Sequence, residues 1–468
     1  MISNFSAIPI AFYSAVFLQG TFASAQEAAD AHRPPNILLI LIDDLGYADI
    51  GCFGNQTNQT PHIDRLAAEG LRFTDFHSNG PMCSATRAAL LTGRYQNRFG
   101  RAFEGALDAE RDHAIGLPLD EITIAEALKP AGYASGLFGK WHLGYQAPFL
   151  PTRQGFDEFR GLLTGDGDHH SHISRSGDPD WWVGETLAFE PGYSVDLITR
   201  DSIDFIERHR NQPFFLLVSH LAIHFPWQGP NEPAHRQQGH DYNTLSKLGP
   251  HPPGAVGPVV REMVEAIDQS VGQLIDTLKQ LDLDRSTLVI FTSDNGGYRH
   301  YGDRFHGEIS DNGPLRGQKG ELFEGGHRVP ALAWWPGRIA PGVTSETVMT
   351  MDLLPTVLDL AQPDPIADAP PLDGLSLAPL LLRREPLPER PLFWRNGAAT
   401  AVRLGPWKLL TVDGRPLLFH LAADPSESHN LSATDPSRVS HLSARLNAWQ
   451  DEMDRPRTPA PQPLPTNP

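Results

Sequence analysis

The chain has 468 residues, of which 40% are hydrophobic and 20% charged; that balance excludes a disordered chain and fits a folded one. Its formal charge of −18 excludes a nucleic-acid partner, since such binding runs on neutralised phosphates and needs a basic face. An anionic ligand must then be drawn by local cations against the overall field. The length accommodates one large α/β domain with a small appendage. With 42 glycines and 42 prolines, much of the chain lies in turns and loops, as in enzymes whose sites are built by loops on a rigid sheet.

The N-terminus carries an apolar run over residues 8–18, then Ala23-Ser24-Ala25. That reads as a secretory signal peptide over residues 1–25, cleaved near Ala25, although no Lys or Arg precedes the run. The run is too short to span a bilayer comfortably, and no later segment is long and apolar enough to cross one. The expectation is export to the periplasm or the extracellular space, without a stable membrane span.

Four apolar runs read as buried strands, each delivering polar residues at its C-terminal end. Residues 36–42 (NILLILI) run into Asp43-Asp44, and residues 133–138 lead to Lys140 and His142. Residues 214–218 lead to His220 and His224, and residues 288–292 to Asp294-Asn295. Continuous aliphatic runs of this kind fit strands covered on both faces. Between them, Thr60-Pro61 opens a helix with Gly70 after it. Residues 261–281 place Met263, Ile267, Val271, Leu274 and Leu278 on one helical face.

Strands alternating with helices predict an α/β fold, a large mostly parallel central sheet flanked by helices. Ligands in such folds sit beyond the carboxyl ends of the strands. Asp43, Lys140, His224 and Asp294 should meet there. Residues 362–371 (QPDPIADAPP) read as a linker. The catalytic domain is thus expected over 34–375, and a small C-terminal α+β subdomain over 388–455. In that subdomain, strands at 401–404, 407–411 and 416–419 precede a helix over 436–449. Residues 456–468 read as a disordered tail.

Three constellations carry chemistry. Asp43-Asp44 and Asp294-Asn295 offer oxygen ligands for a hard cation such as Ca²⁺ or Mg²⁺. Arg87, Lys140, His142, His224 and Lys319 supply cations and hydrogen-bond donors suited to a tetrahedral oxyanion. The third is the segment 81–94 (PMCSATRAALLTGR), in which Cys83 precedes Arg87 by one helical turn. With only two cysteines, Cys52 and Cys83, an exported protein would ordinarily pair them as a disulfide. That pairing is the reading the segment 81–94 has to outweigh.

Segment 81–94 resembles the signature of the formylglycine-dependent sulfatases, in the alkaline-phosphatase-like superfamily: Cys-x-Pro/Ala-x-Arg, an apolar pair and Thr-Gly-Arg. NILLILIDDLGYADIG (36–51), TPHIDRLAAEG (60–70), GKWHLG (139–144), TSDNG (292–296) and GQKGELFEGG (317–326) follow the family's order. The resemblance implies that a maturation enzyme oxidises Cys83 to formylglycine. It implies one Ca²⁺ on Asp43, Asp44, Asp294, Asn295 and the modified Cys83. Arg87 would hold the hydrated aldehyde, Lys140 and Lys319 the sulfate oxygens. His142 would be the base of the second half-reaction and His224 would serve the leaving alcohol. Ala85 stands where many members have Pro.

The expected activity is hydrolysis of sulfate esters, with a sulfated carbohydrate as substrate. His170, in the loop GDGDHHS (165–171), is a candidate substrate contact, with a polar structural loop or a second metal site as the alternatives. Trp181-Trp182 would either stack on a sugar or pack under that loop. Two other readings stay open at this level. One is a phosphate or phosphonate monoester hydrolase of the same superfold. The other is a non-catalytic carbohydrate-binding relative in which Cys83 pairs with Cys52.

Overall fold

The computed structural model describes residues 34–301, 305–306, 309–367 and 369–455. The predicted signal segment and tail lie outside the described residues. A sheet of eleven strands forms the centre. Its inner run comprises β1 (Asn36–Ile42), β2 (Leu71–His77), β3 (Ala134–Lys140), β4 (Glu158–Leu162), β5 (Phe214–His220), β6 (Thr287–Ser293) and β7 (Arg328–Trp334). The spatial order is β2-β7-β6-β1-β5-β3-β4. Strands β6, β1, β5, β3 and β4 are mutually parallel, while β7 runs antiparallel between β6 and β2. The sheet is therefore mostly parallel, as the alternation of elements predicts.

Every side chain of β1 is buried because both faces of the sheet are covered. Leu38, Ile40 and Ile42 enter one core with α3 (Ser194–His209) and α4 (Val256–Gln280), whereas Ile37, Leu39 and Leu41 enter the other with Leu90 and Leu91 of α2 (Cys83–Thr92). Alternation across the strand thus assigns residues to two cores. Helix α4 begins at Val256, earlier than the predicted start, because Val256, Val259 and Val260 continue its buried face. In α1 (Pro61–Glu69), Pro61 occupies the first turn as expected. Thr60 does not cap it; its hydroxyl accepts from the Gly51 N–H at 2.8 Å.

The C-terminal unit is an antiparallel sheet of four strands, β8 (Leu392–Asn396), β9 (Ala399–Leu404), β10 (Trp407–Val412) and β11 (Arg415–His420), packed by α5 (Pro436–Met453). It has a core of its own, including Trp394, Leu409, Leu418 and Trp449. Strand β8 is the element of this unit absent from the sequence reading, as β2, β4, β7 and α3 are in the large domain. It turns into β9 through Gly397, whose φ of 59° suits glycine. Among the described residues, no helix is long and apolar enough to cross a membrane.

Candidate active site

The carboxyl ends of β1, β3, β5 and β6 meet the N-terminus of α2. Backbone bonds fix this edge: Asp43 N–H donates to Ala222 O at 3.2 Å, and Asp294 N–H to Ile42 O at 3.1 Å. Asp43, Asp44 and Asp294 each present a ligand oxygen within 4.8 Å of the others, and Asp43, Cys83 and His224 form a second such group. Asp44 and His142 hold φ values of 66° and 58°, a left-handed conformation that non-glycine residues adopt at a cost and that concentrates at functional positions.

Cys83 is the first residue of α2 and is buried. One turn on, Arg87 lies on the same face. Its Nε donates to Asp294 Oδ2 at 3.0 Å, and its Nη1 to the Lys140 carbonyl at 2.9 Å and Ser219 Oγ at 2.6 Å. Lys140 Nζ bonds Asp43, and Lys319 Nζ bonds Asp44. Burial would pull the Lys319 ammonium down, but the neighbouring Asp44 and the other negative groups hold it well above the ordinary lysine value. Burial pushes the Asp43 carboxyl up despite Lys140. Burial and the Asp43 charge do the same to Asp294.

His142 Nε2 donates to the Leu107 carbonyl at 2.8 Å, leaving Nδ1 buried without a partner. Burial and Lys140 hold this ring well below the usual imidazole range, so it is neutral. His224 Nδ1 donates to Phe225 O at 2.8 Å, and its Nε2 lies 3.8 Å from Asp44 Oδ2. Asn295 donates from Nδ2 to Asp44 Oδ1 at 2.8 Å, while its Oδ1 has no partner. Gly296 approaches so closely that a Cβ there would stand 1.9 Å from the Gly325 carbonyl oxygen. The Asp294-Asn295 turn is thereby locked against the segment that carries Lys319.

A cavity of about 240 Å³ opens above this cluster, with Cys83, His142, His224 and Lys319 in its wall. The structure thus brings together Asp43, Asp44, Cys83, Arg87, Lys140, His142, His224, Asp294, Asn295 and Lys319. His170 is placed elsewhere. Its Nε2 donates to the Gly229 carbonyl at 3.0 Å, and its ring packs on Tyr193. Asp168 holds that loop by accepting from four backbone N–H groups, those of His170, Ser171, His235 and Arg236. Trp181 is buried and stacks on His172 at 4.2 Å, so it packs under the loop. Cys52 and Cys83 are both free thiols, which corrects the disulfide pairing that the non-catalytic reading required. Cys52 lies in the short turn 51–53, its N–H held by Asp64 Oδ1.

The donor set fits a hard divalent cation. Asp43 Oδ1 and Asn295 Oδ1 are buried and unpartnered, and three carboxylates converge, an oxygen set suited to a hard ion. The charges of Asp43, Asp44 and Asp294 are balanced by Arg87, Lys140 and Lys319. A divalent cation added to a balanced site creates the local positive charge that an anionic substrate needs in an acidic protein.

This arrangement defines a hydrolase site for a tetrahedral oxyanion ester, and comparison with known proteins specifies the class. The sulfatase family pattern matches residues 35–363. The chain is 37% identical over 462 residues to arylsulfatase A of Bos taurus, covering 86% of this chain and 84% of the relative. It is 35% identical to N-acetylgalactosamine-6-sulfatase of Homo sapiens, covering 91% and 87%. Among solved structures, Ps i-CgsB in complex with k-i-k-neocarrahexaose superposes with a TM-score of 0.79 at 29% identity, covering 91% and 94%. The PsFucS1 sulfatase from Pseudoalteromonas sp. superposes at 0.72 with 25% identity, covering 95% and 96%. The chain belongs to the sulfatase family and is a hydrolase of sulfate esters.

Four further residues at the site carried no motif. Ser219 bridges Arg87 and the Lys140 carbonyl, and Arg175, Lys247 and Tyr298 line the cavity. Arg175 lies five residues beyond His170 in the chain, outside the segment 165–171.

Proposed function

We propose that this sulfatase acts on a sulfated carbohydrate through a formylglycine made from Cys83, with one Ca²⁺ held by Asp43, Asp44, Asp294, Asn295 and the modified Cys83. The observation that carries this reading is the position of Cys83. It is a free thiol at a helix N-terminus, on the cavity wall, among three carboxylates, Arg87 and two lysines. Burial pushes its thiol up, so an unmodified Cys83 is a poor thiolate nucleophile. A hydrated aldehyde at this position supplies one hydroxyl to attack sulfur and a second whose deprotonation expels sulfate.

Bound Ca²⁺, held by those residues, would supply Lewis acidity that polarises the sulfate ester and lowers the pKa of the attacking hydroxyl. Arg87, anchored on Asp294, holds the modified side chain. Lys140 and Lys319 place positive charge beside the carboxylates, where sulfate oxygens would sit. His142, with Nε2 tied to Leu107, presents the Nδ1 lone pair as the base of the second half-reaction. Burial, Lys319 and Lys140 hold His224 well below the usual imidazole range, and the negative charge of a bound substrate opposes those cations. His224 can then protonate or polarise the leaving alcohol. His170, tied to Gly229, would act on substrate only through the loop it helps to shape.

The carbohydrate assignment is supported by relatives described as sugar sulfatases or seen with a neocarrahexaose. The division into a catalytic domain over 34–375 and a subdomain over 388–455, export after cleavage near Ala25, and a maturation enzyme as partner belong to the same reading. Mass spectrometry of the Cys83 peptide, with turnover on a panel of sulfated sugars, tests it. A mass loss of about 18 Da (thiol to aldehyde) with sulfate release is expected. An unmodified thiol in fully active enzyme would overturn the nucleophile.

A further inference from the structure

Besides Arg111, which pairs with Asp112, two cations stand at the cavity outside the cluster described above. Arg175 places its guanidinium 5.8 Å from the Phe225 ring centroid, and Lys247 its ammonium 5.7 Å from the same ring and 5.4 Å from that of Tyr301. Both residues line the catalytic cavity. The Phe225 ring in turn lies 4.1 Å from that of His224, the residue on the leaving-group side.

Arg175 shares its one ion-pair carboxylate with a second guanidinium, and Lys247 pairs with none among the described residues. Asp166 accepts from Arg175 Nε at 2.7 Å, but its other oxygen accepts from the buried Arg236 at 2.7 Å, so one carboxylate serves two guanidiniums. Lys247 has no carboxylate within ion-pair distance among the described residues. Its own carbonyl accepts from Arg236 Nη2 at 3.0 Å, which holds its loop in place. Of the nearby acids, Asp108 also attracts Arg175, and each makes local bonds. Asp108 accepts the Glu110 and Arg111 N–H groups, Glu110 takes Asn243 Nδ2, and Arg111 pairs with Asp112. Aromatic faces attract cations but leave their charge in place. Two like charges on one ring, in a protein of charge −18, mark a place for an anion.

We propose that Arg175 and Lys247 form a second anion site at the leaving-group side of the cavity. The preferred substrate is then a saccharide carrying a second sulfate or a carboxylate close to the scissile ester. This rests on the carbohydrate reading above. It goes further by assigning the substrate a second charge and naming the residues that select it.

The test compares wild type, Lys247→Met and Lys247→Arg on three substrates of one sugar series: singly sulfated, doubly sulfated, and sulfated with an adjacent uronate. In wild type, kcat/KM should be higher for one or both doubly anionic substrates, with the advantage shrinking as salt rises. Lys247→Met should lower the ratio of doubly to singly anionic kcat/KM about tenfold, mainly through KM, and Lys247→Arg should restore it. The arm that loses more identifies the second group as sulfate or carboxylate. A ratio unchanged by Lys247→Met, in enzyme that melts like wild type, overturns the second site alone. Failure of wild type on every sulfated sugar removes the carbohydrate reading and this site with it.

Discussion

Two buried charge clusters in this protein have nearly the same composition and opposite uses. At the active site, Asp43, Asp44 and Asp294 face Arg87, Lys140 and Lys319. Between the central sheet and the C-terminal unit, Asp75, Glu324 and Glu427 face Arg328, Arg403 and Lys408, with His77 and His327 among them. Both clusters contain residues with metal-ligand spacing. In the second, however, a protein cation already fills the centre. Lys408 Nζ lies 2.9 Å from Glu324, 3.0 Å from Glu427 and 3.1 Å from His327 Nε2. In the first, the lysines flank the carboxylates, ligand oxygens of Asp43 and Asn295 stay unpartnered, and a cavity opens beside them. Residue types alone do not separate a site from a joint; unmet bonding capacity next to open space does.

The largest effect expected from breaking this contrast is at Cys83. Cys83→Ala should reduce sulfate-ester turnover by more than about 10³-fold, while the melting temperature stays within about 4 °C of wild type. Steady-state kinetics with a thermal melt check it, and retained turnover would refute the nucleophile. Lys408→Met should do the converse. It leaves Glu324 and Glu427 buried against each other without their shared cation, costing about 3–5 kcal/mol. A urea titration should show that loss, with turnover per folded molecule close to wild type. A stable Lys408→Met would mean the second cluster is not the joint described here.

The active-site half of this contrast is legible in the sequence, and the joint is not. The run NILLILI admits hardly any structure except a doubly covered strand, and its end fixes where Asp43 and Asp44 go. The same holds for the segments ending in Lys140 and Asp294. Strand β8 escaped because Leu392-Phe393-Trp394 is short, and its pairing with β9 depends on a turn at Gly397. Arg175 and Lys247 escaped for a different reason. They reach the cavity only through the path of long loops, held by Asp166 and Arg236 rather than by any local pattern. Glu324 stands inside the segment 317–326 that carries Lys319, yet its carboxylate pairs with Lys408 in the joint.

Metal linkage sharpens the comparison through stability. Added Ca²⁺ should stabilise wild type and Lys408→Met alike, by about 2.7 kcal/mol at a hundredfold excess over Kd, because it binds the folded state only. Asp294→Asn should respond much less, and a chelator should reverse the shift where it occurs. Equal stabilisation of Asp294→Asn would place the bound ion elsewhere in the molecule.

The smallest expected effect separates burial from the fields of the two clusters. Both clusters hold histidines neutral: His142 through burial and Lys140, His327 through burial and Lys408. His220 belongs to neither. Burial alone pushes it down to about 3, and its Nε2 lies 3.0 Å from Ser270 Oγ. In the unfolded chain the same imidazole takes up a proton below about pH 6.5. The unfolded state therefore binds more protons in mild acid, and folding stability falls as pH drops from 7.5 toward 5.5. His220→Gln cannot take up that proton in either state, so its loss of stability over this range should be smaller than that of wild type by about 1 kcal/mol. Urea titrations at the two pH values measure the difference. If the slopes match, the acid sensitivity lies in the clusters, and Lys408→Met, which removes the cation holding His327 down, should then change it instead.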